Sequence, residues 1–194
     1  MRKNGGMITH TIGAILAGGQ STRMGREKSG LLIEGQTFLD RVHETMTRVF
    51  KEVAVFGGSV VPTDGVLLRD EVPGQGPVGG LLTAMHMARG RPVFTTSVDT
   101  PLLTVDVIRA IAEPAVPSDG VRVATALGRV HPLIGVYGPD VEPVVRGRFD
   151  EGKRSMLGVI DTVERVVEVE VSPEAVFNVN TEEDYEQLMN RYGP

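Results

Sequence analysis

The sequence predicts an α/β fold, in which a single three-layer, Rossmann-like domain has helices on both faces of a mostly parallel sheet. Short apolar runs rich in β-branched residues alternate with segments of helical periodicity over most of the chain. Glycine or aspartate residues follow three of these runs closely. The 194 residues suit one domain with an ordinary core, because 41% of them are hydrophobic and 23% are charged.

The elements follow in order from these patterns. Strands are expected at 11–16, 53–56, 66–68, 92–98, 121–126, 132–137 and 166–171, with 121–126 and 132–137 joined near Gly128 as a hairpin. Helical spacing of apolar residues runs from Phe38 to Phe50, with Thr37 as N-cap. Further helices are expected from Pro77 to Ala88, from the N-cap Thr104 to about Ala112, and within 140–149 and 154–160. Thr181 is expected to cap a last helix, with Asp184 completing a capping-box pattern.

Composition excludes several classes of site. The chain has no cysteine, so disulfides, thiolate zinc sites and cysteine nucleophiles are excluded. A net charge of −5 with scattered basic residues argues against a nucleic-acid partner. No apolar stretch suits a secretory signal or a membrane span. We therefore expect one cytoplasmic domain over residues 1–194, with residues 1–8 as a disordered N-terminal extension.

A glycine-rich loop follows the first predicted strand and reads LAGGQSTRMGREK from Leu16 to Lys28. Adjacent glycines Gly18 and Gly19 let backbone amides approach an anion closely. Ser21 and Thr22 add hydroxyl donors, and Arg23 and Lys28 add positive charge, so the loop is predicted to bind a triphosphate. The Walker and dinucleotide-binding patterns are absent. The alternative is a solvated connecting loop.

Two aspartates follow later strands, and ligands of such sheets bind beyond the carboxyl ends of the strands. Asp70 comes after the strand at 66–68, and Asp99 ends the strand at 92–98. From the residues alone Asp99 is either a metal ligand or a turn-forming residue before Thr100-Pro101. Asn178 and Asn180 flank Val179 and would share one face of a strand, with turn and capping contacts as the alternative. His131 is left out of the predicted site, although contact with an acceptor is an alternative.

The loop from Leu16 to Leu32, LAGGQSTRMGREKSGLL, closely resembles the signature of bacterial molybdenum cofactor guanylyltransferases. Glu27 stands where aspartate is commoner in that family. The resemblance extends over nearly the whole chain, because four more segments also resemble the family: QGPVGGL (75–81), SVDTPLL (97–103), HPLIGVY (131–137) and FNVNT (177–181).

The resemblance implies a nucleotidyltransferase fold and transfer of GMP from GTP to molybdopterin, with release of pyrophosphate. It implies Mg²⁺ as cofactor, with Mn²⁺ as an alternative, held by Asp99. Catalytic residues would be Arg23, Lys28 and Asp99. Nucleotide contacts would come from Leu16, Ala17, Gly18, Gly19, Lys28, Asp70 and Asp99. Asn178 and Asn180 would contact the acceptor, and transient contacts with cofactor-delivery or acceptor proteins are expected.

Two other functions remain open from the sequence. The segment 56–59 lacks the asparagine that the family often carries on its guanine side. A sister activity is therefore an alternative, such as a molybdopterin cytidylyltransferase or a sugar- or alcohol-phosphate nucleotidyltransferase. A non-catalytic nucleotide-binding protein on the same fold is the second alternative.

Overall fold

The computed structural model describes residues 6–17, 28–57, 62–63, 67–68 and 74–193, with only the backbone at Lys28. The strands in these ranges are β1 (Ile12–Leu16), β2 (Leu32–Ile33), β3 (Gln36–Thr37), β4 (Val53–Phe56), β5 (Leu67–Leu68), β6 (Val93–Ser97), β7 (Gly120–Ala126), β8 (Arg129–Tyr137) and β9 (Arg165–Glu170). The helices are α1 (Phe38–Thr47), α2 (Gly76–Ala88), α3 (Val105–Ala112), α4 (Glu142–Asp150), α5 (Met156–Ile160) and α6 (Glu182–Tyr192).

The main sheet has seven strands in the order β5-β4-β1-β6-β8-β7-β9. Only β8 runs antiparallel to its neighbours, so the predicted mostly parallel sheet is confirmed. The reversal follows from a tight hairpin, since only Leu127 and Gly128 separate β7 from β8. Both residues have positive φ angles, 51° and 70°, as a two-residue hairpin turn requires.

Helices cover both faces of the sheet, as predicted. All five residues of β1 are buried, which is typical of a central parallel strand. Ile12, Ala14 and Leu16 pack in a core cluster with α2, α4 and α5. Ile15 points to the opposite face and packs with residues of α1 and α3. The alternation of side chains along one strand therefore separates two hydrophobic layers.

Helix α2 is buried on more than one face. The apolar spacing of Val78, Leu81, Leu82, Met85 and Ala88 predicts one buried face, and Gly79, Gly80, Thr83 and Ala84 are buried as well. The reason is that α2 packs against β1, β4 and β6 while α4 covers its outer side. The helix has 13 residues. No helix in the described ranges is long and apolar enough to cross a membrane.

The first helix is shorter than its apolar spacing suggested. Thr37 caps α1 as predicted, but the helix ends at Thr47, so Val49 and Phe50 lie beyond it. Both stay buried, because Phe50 forms a parallel bridge with Ile8. The Ile8 amide donates to the Val49 carbonyl at 2.7 Å. Of the extension expected at 1–8, Ile8 is therefore held against the fold, and residues 1–5 lie outside the described residues.

A small hairpin of β2 and β3 was not predicted. Its turn is Glu34-Gly35, with φ angles of 50° and 77°. Strands of two residues are too short to show an alternating pattern. The hairpin and its flanks pack against the loop after β6, the segment before α6 and α6 itself. The buried residues of this third apolar cluster are Leu31, Ile33, Phe38, Leu102, Val179 and Leu188. This cluster holds the C-terminal segment against the loop that follows β6.

Candidate active site

Four parallel strands end in one row across the sheet. Leu16 pairs with both Phe56 and Ser97, and Phe56 pairs with Leu68. The glycine-rich loop, Asp70 and Asp99 all follow this row directly in the sequence. The loops that carry these predicted residues therefore leave the sheet at the same edge, as expected of a ligand site in such a sheet.

Four of the predicted site residues lie outside the described residues, namely Gly18, Gly19, Arg23 and Asp70. Lys28 opens a short 3₁₀ helix, Lys28–Gly30, and only its backbone is described. Their predicted contacts with a nucleotide stay predictions.

Leu16 and Ala17 lead into this loop. The Leu16 side chain is 5% exposed and belongs to the core. The Ala17 amide donates to the Phe56 carbonyl at 2.8 Å. The side chain of Leu16 is thus committed to packing, and any contact that this residue makes with a ligand must come from its backbone.

Asp99 lies in a tight turn at the end of β6. The Thr100 hydroxyl donates to the Ser97 carbonyl at 2.8 Å and lies 3.2 Å from the Thr96 hydroxyl. Thr96 and Thr100 are both buried, so the turn is fixed from inside the protein. The Oδ1 atom of Asp99 is fully buried beneath the surface of the site. Turn and strand together fix the backbone that carries this carboxylate.

A backbone hydrogen bond brings the two asparagines to Asp99. The Val179 amide donates to the Asp99 carbonyl at 2.9 Å. Val179 itself is fully buried, and Asn178 and Asn180 on either side of it border the same cavity as Asp99. Residues 178–180 lie in irregular backbone and not on a strand, so the two asparagines do not share a strand face. The bond from Val179 holds this segment beside Asp99.

Helix α6 fixes the end of this segment. The amides of Asn180 and Thr181 donate to Asp184 Oδ2 at 2.8 and 2.9 Å. The Thr181 hydroxyl accepts from the Asp184 amide at 3.1 Å, which completes the predicted capping box. Asn180 can take part in this capping arrangement and also contact a ligand, because the capping bond uses its backbone amide.

The cavity beside Asp99 has a volume of about 580 Å³ and four walls. One wall is the end of β6 with the start of α2, and another is the hairpin of β7 and β8. The start of α5 and the segment 173–180 close the other sides. The lining residues are Pro77, Ser97, Asp99, Thr100, Ala126, Leu127, Arg129, Val130, His131, Pro132, Leu133, Ile134, Ser155, Met156, Leu157, Pro173, Val176, Phe177, Asn178 and Asn180.

An irregularity in β8 lies in the wall of the cavity. Val123 pairs with Gly135, but the next residue, Ala124, pairs with His131. The intervening residues bulge out of the ladder, and such bulges re-aim side chains. The buried hydroxyl of Tyr137 donates to the Pro132 carbonyl and so satisfies a backbone group that the bulge leaves out of the ladder. Burial raises the pKa of this hydroxyl, so it remains a donor.

His131 lines the cavity, although it was left out of the predicted site. Burial lowers the pKa of the His131 imidazole, and the positive charge of Arg129 lowers it further. The neutral ring is therefore favoured at pH 7, with one nitrogen donating and the other accepting. Ser155, Leu127 and Leu157 were also missed. The His-Pro pair after a glycine turn was a sequence signal for the hairpin wall, and Ser155, as the N-cap of α5, was a signal for the α5 wall. Leu127 and Leu157 belong to no local pattern.

The donor set fits a magnesium ion. Mg²⁺ prefers hard oxygen ligands, and it commonly takes one or two protein carboxylates together with substrate phosphates and water. Asp99 supplies a carboxylate, and Asn178 and Asn180 carry amide oxygens at the same cavity. No group of three or more acidic or histidine side chains suits a metal ion within the described ranges, which exclude Asp70. The described residues thus resemble a site completed by a phosphate-bearing substrate.

A family model described as the MobA-like NTP transferase domain matches residues 13–169. A protein of Carboxydothermus hydrogenoformans named "Probable molybdenum cofactor guanylyltransferase" is 32% identical over 189 residues, which are 91% of this chain and 93% of that protein. A protein of the same name from Mycobacterium tuberculosis is 35% identical over 179 residues, 87% of this chain and 88% of its own length.

A solved structure shows the same fold. It is the molybdopterin-guanine dinucleotide biosynthesis protein A of Archaeoglobus fulgidus, with a TM-score of 0.76 and 18% identity. The match covers 93% of this chain and 97% of that one. Family model and relatives agree over most of the chain. The protein therefore belongs to the family of MobA-like NTP transferases.

Proposed function

We propose that the protein is a molybdenum cofactor guanylyltransferase, which transfers GMP from GTP to molybdopterin and releases pyrophosphate. One observation carries the proposal. The cavity that begins at Asp99 lies beside the row of strand ends from which the glycine-rich loop departs. A nucleotide on the loop side and an acceptor in the cavity would meet at Asp99.

The nucleotide side follows from the loop. The amides of Gly18 and Gly19 would hold phosphate oxygens, and Arg23 and Lys28 would stabilise the charge that develops on them. The backbone of Leu16 and Ala17 would support this contact from the end of β1, and Asp70 would contact the nucleoside.

Asp99 would hold Mg²⁺, with Mn²⁺ as the alternative ion. When bound, the ion would neutralise charge on the phosphate oxygens of GTP and on the leaving pyrophosphate. The protein contributes position, because the turn from Ser97 to Thr100 keeps Asp99 in the lining of the cavity.

Asn178 and Asn180 would orient the terminal phosphate of the acceptor. An oxygen of that phosphate attacks the α-phosphorus of GTP, and the bond from that phosphorus to pyrophosphate breaks. The attacking phosphate is already anionic at neutral pH, so the step needs no general base. A neutral His131 in the cavity wall can then serve as a hydrogen-bond partner of the acceptor without changing its charge.

Proteins that deliver molybdopterin or receive the product would make transient contacts at the cavity mouth. Leu127 and Leu157 both border the cavity and are 79% and 50% exposed. Such a handover would take place in the cytoplasm. Contacts of this kind would be lost when either leucine is replaced by serine, as a pull-down with a delivery protein would show.

The direct test is pyrophosphate release from GTP with Mg²⁺ and molybdopterin. We expect turnover with GTP and much slower turnover with CTP, UTP or ATP. Lys28→Ala and Asp99→Ala should lose guanylyl transfer while remaining folded, as judged by circular dichroism. Equal turnover with CTP would favour the cytidylyl activity, and nucleotide binding without pyrophosphate release would favour a binding protein. Near-normal turnover by either variant would contradict the assigned roles.

A further inference from the structure

A glycine-flanked glutamine precedes α2 and does not cap it. Gly74 and Gly76 have φ angles of 77° and 69°, so the chain turns sharply on both sides of Gln75. Gln75 occupies the N-cap position, but its side chain makes no capping bond. Its Oε1 atom instead accepts two hydrogen bonds from Arg154, from Nε at 2.9 Å and from Nη2 at 2.7 Å.

Arg154 is held in place by other contacts of its guanidinium group. Its Nη1 atom donates to the Phe149 carbonyl at 2.5 Å. Its Cζ atom lies 4.1 Å from the centroid of the Phe149 ring. Stacking on a ring and a bond to a backbone carbonyl fix the plane of the fork. Gln75 is therefore bound by a donor that is itself rigid.

The two residues are 79 positions apart and belong to different walls of the cavity. Two positions after Gln75, Pro77 lines the cavity at the start of α2. Directly after Arg154, Ser155 caps α5 and lines the cavity together with Met156 and Leu157. The pair of hydrogen bonds thus links the α2 wall to the α5 wall.

We propose that Arg154 is a positioning residue, which acts through Gln75 to fix these two walls and thereby sets the affinity of the cavity for its acceptor. The inference rests on the proposed function, in which the cavity holds molybdopterin. Arg154 itself is engaged by Gln75 and Phe149, so its effect on the acceptor is carried by the position of the walls.

The kinetics of a double-mutant cycle test this positioning role of Arg154. Arg154→Ala and Gln75→Ala should each raise the KM for molybdopterin roughly tenfold, because small displacements of binding groups are costly. The KM for GTP should change less, by about twofold, because the phosphate contacts of GTP are assigned mainly to the glycine-rich loop. The double variant should be no worse than Arg154→Ala, because both changes break the same link. Gln75→Glu should remain near the wild type, since a carboxylate still accepts from the guanidinium.

Arg146→Ala is the matched control. Arg146 lies on α4 and pairs with Glu142 and His86, away from the cavity lining. Its removal should leave the KM for molybdopterin unchanged. If Arg154→Ala fails to fold, the comparison of Gln75→Ala with Gln75→Glu still tests whether the bond from Arg154 to Gln75 sets the KM for molybdopterin. Additive effects in the double variant, equal effects of Gln75→Ala and Gln75→Glu, or an unchanged KM for molybdopterin would each overturn the proposal.

Hydrogen exchange gives a readout that does not need turnover. Peptides covering residues 76–82 and 155–160 should exchange faster in Arg154→Ala and Gln75→Ala than in the wild type, Gln75→Glu and Arg146→Ala. Unchanged exchange would overturn the link between the walls. Absence of turnover in the wild-type protein would contradict the proposed function instead, and the exchange data would still decide whether the two walls are coupled.

Discussion

The parallel half of the sheet and its mixed half contribute to the site in different ways. In the parallel half, β5, β4, β1 and β6 end in one row, and the glycine-rich loop, Asp70 and Asp99 follow these strand ends in the sequence. In the mixed half, the cavity is built from the hairpin of β7 and β8, the start of α5 and the segment 173–180. The first half forms its part of the site from local sequence, and the second forms its part from tertiary packing.

The mixed half contains a strained turn, in the hairpin of β7 and β8. Leu127 adopts a left-handed conformation with φ of 51°, which costs a residue with a side chain about 1–2 kcal/mol. Its side chain is 79% exposed, so burial does not offset that cost. Glu170 stabilises the turn by accepting from the Leu127 amide at 3.3 Å and from the Thr125 hydroxyl at 3.0 Å. Strain of this kind is common near functional sites.

The largest effect is expected for Asp99→Asn at the end of the parallel half. Loss of the carboxylate should lower kcat/KM for GTP by about 10²-fold or more, because stabilisation of transition-state charge is lost. The rate of pyrophosphate release at varied GTP concentration measures this change in kcat/KM. Asp161→Asn is the matched change in the other half, where an exposed aspartate follows α5 outside the cavity lining. Equal losses in both variants would contradict a special role of the row of strand ends.

A pair of glycine variants compares the stability of the two halves. A Cβ atom at Gly138, after β8, would lie closer than 3.0 Å to backbone oxygens of Pro117 and Ser118. A Cβ atom at Gly13 in β1 would lie 2.9 Å from the flexible end of the Met46 side chain. Gly138→Ala should therefore cost about 3 kcal/mol of unfolding free energy, and Gly13→Ala about 1 kcal/mol. Urea denaturation measures both, and the reverse order would contradict this account.

A smaller effect is expected for the N-cap of α6. Thr181→Ala removes the hydroxyl that accepts from the Asp184 amide and should cost about 1 kcal/mol, or a Tm decrease of about 2–4 °C. It should also raise the KM for molybdopterin, because Asn180 is anchored beside this cap. Thr37→Ala removes the equivalent bond of α1 and should cost similar stability with no change in that KM. An equal change in KM for both would show that the cap does not position Asn180.

The smallest effect concerns pH and His131. Because burial lowers the pKa of His131 in the folded protein, the unfolded chain binds the proton more readily. Stability contributed by the neutral ring is present above the unfolded pKa of about 6.5 and is lost as the pH falls through the lower folded pKa. His131→Gln should therefore flatten the decline of Tm with acidification. An unchanged pH dependence would contradict this.

The fold was predicted well where local chemistry determines it. The caps Thr37, Thr104 and Thr181 were found from their residue types, since a hydroxyl that binds a free helix amide is a local interaction. The end of α1 and the hairpin of β2 and β3 were not found. Apolar burial continues through Phe50 after the helix has ended, and two-residue strands carry no period.

The sequence by itself determined the α/β class, the position of Asp99 at a strand end and the glycine-rich loop, because each depends on residues that are neighbours along the chain. Only the tertiary structure decided which segments enclose the cavity. The bond from Val179 to Asp99 spans 80 positions and the link from Arg154 to Gln75 spans 79. Contacts of that separation arise from how the layers pack, and no local pattern of residues encodes them.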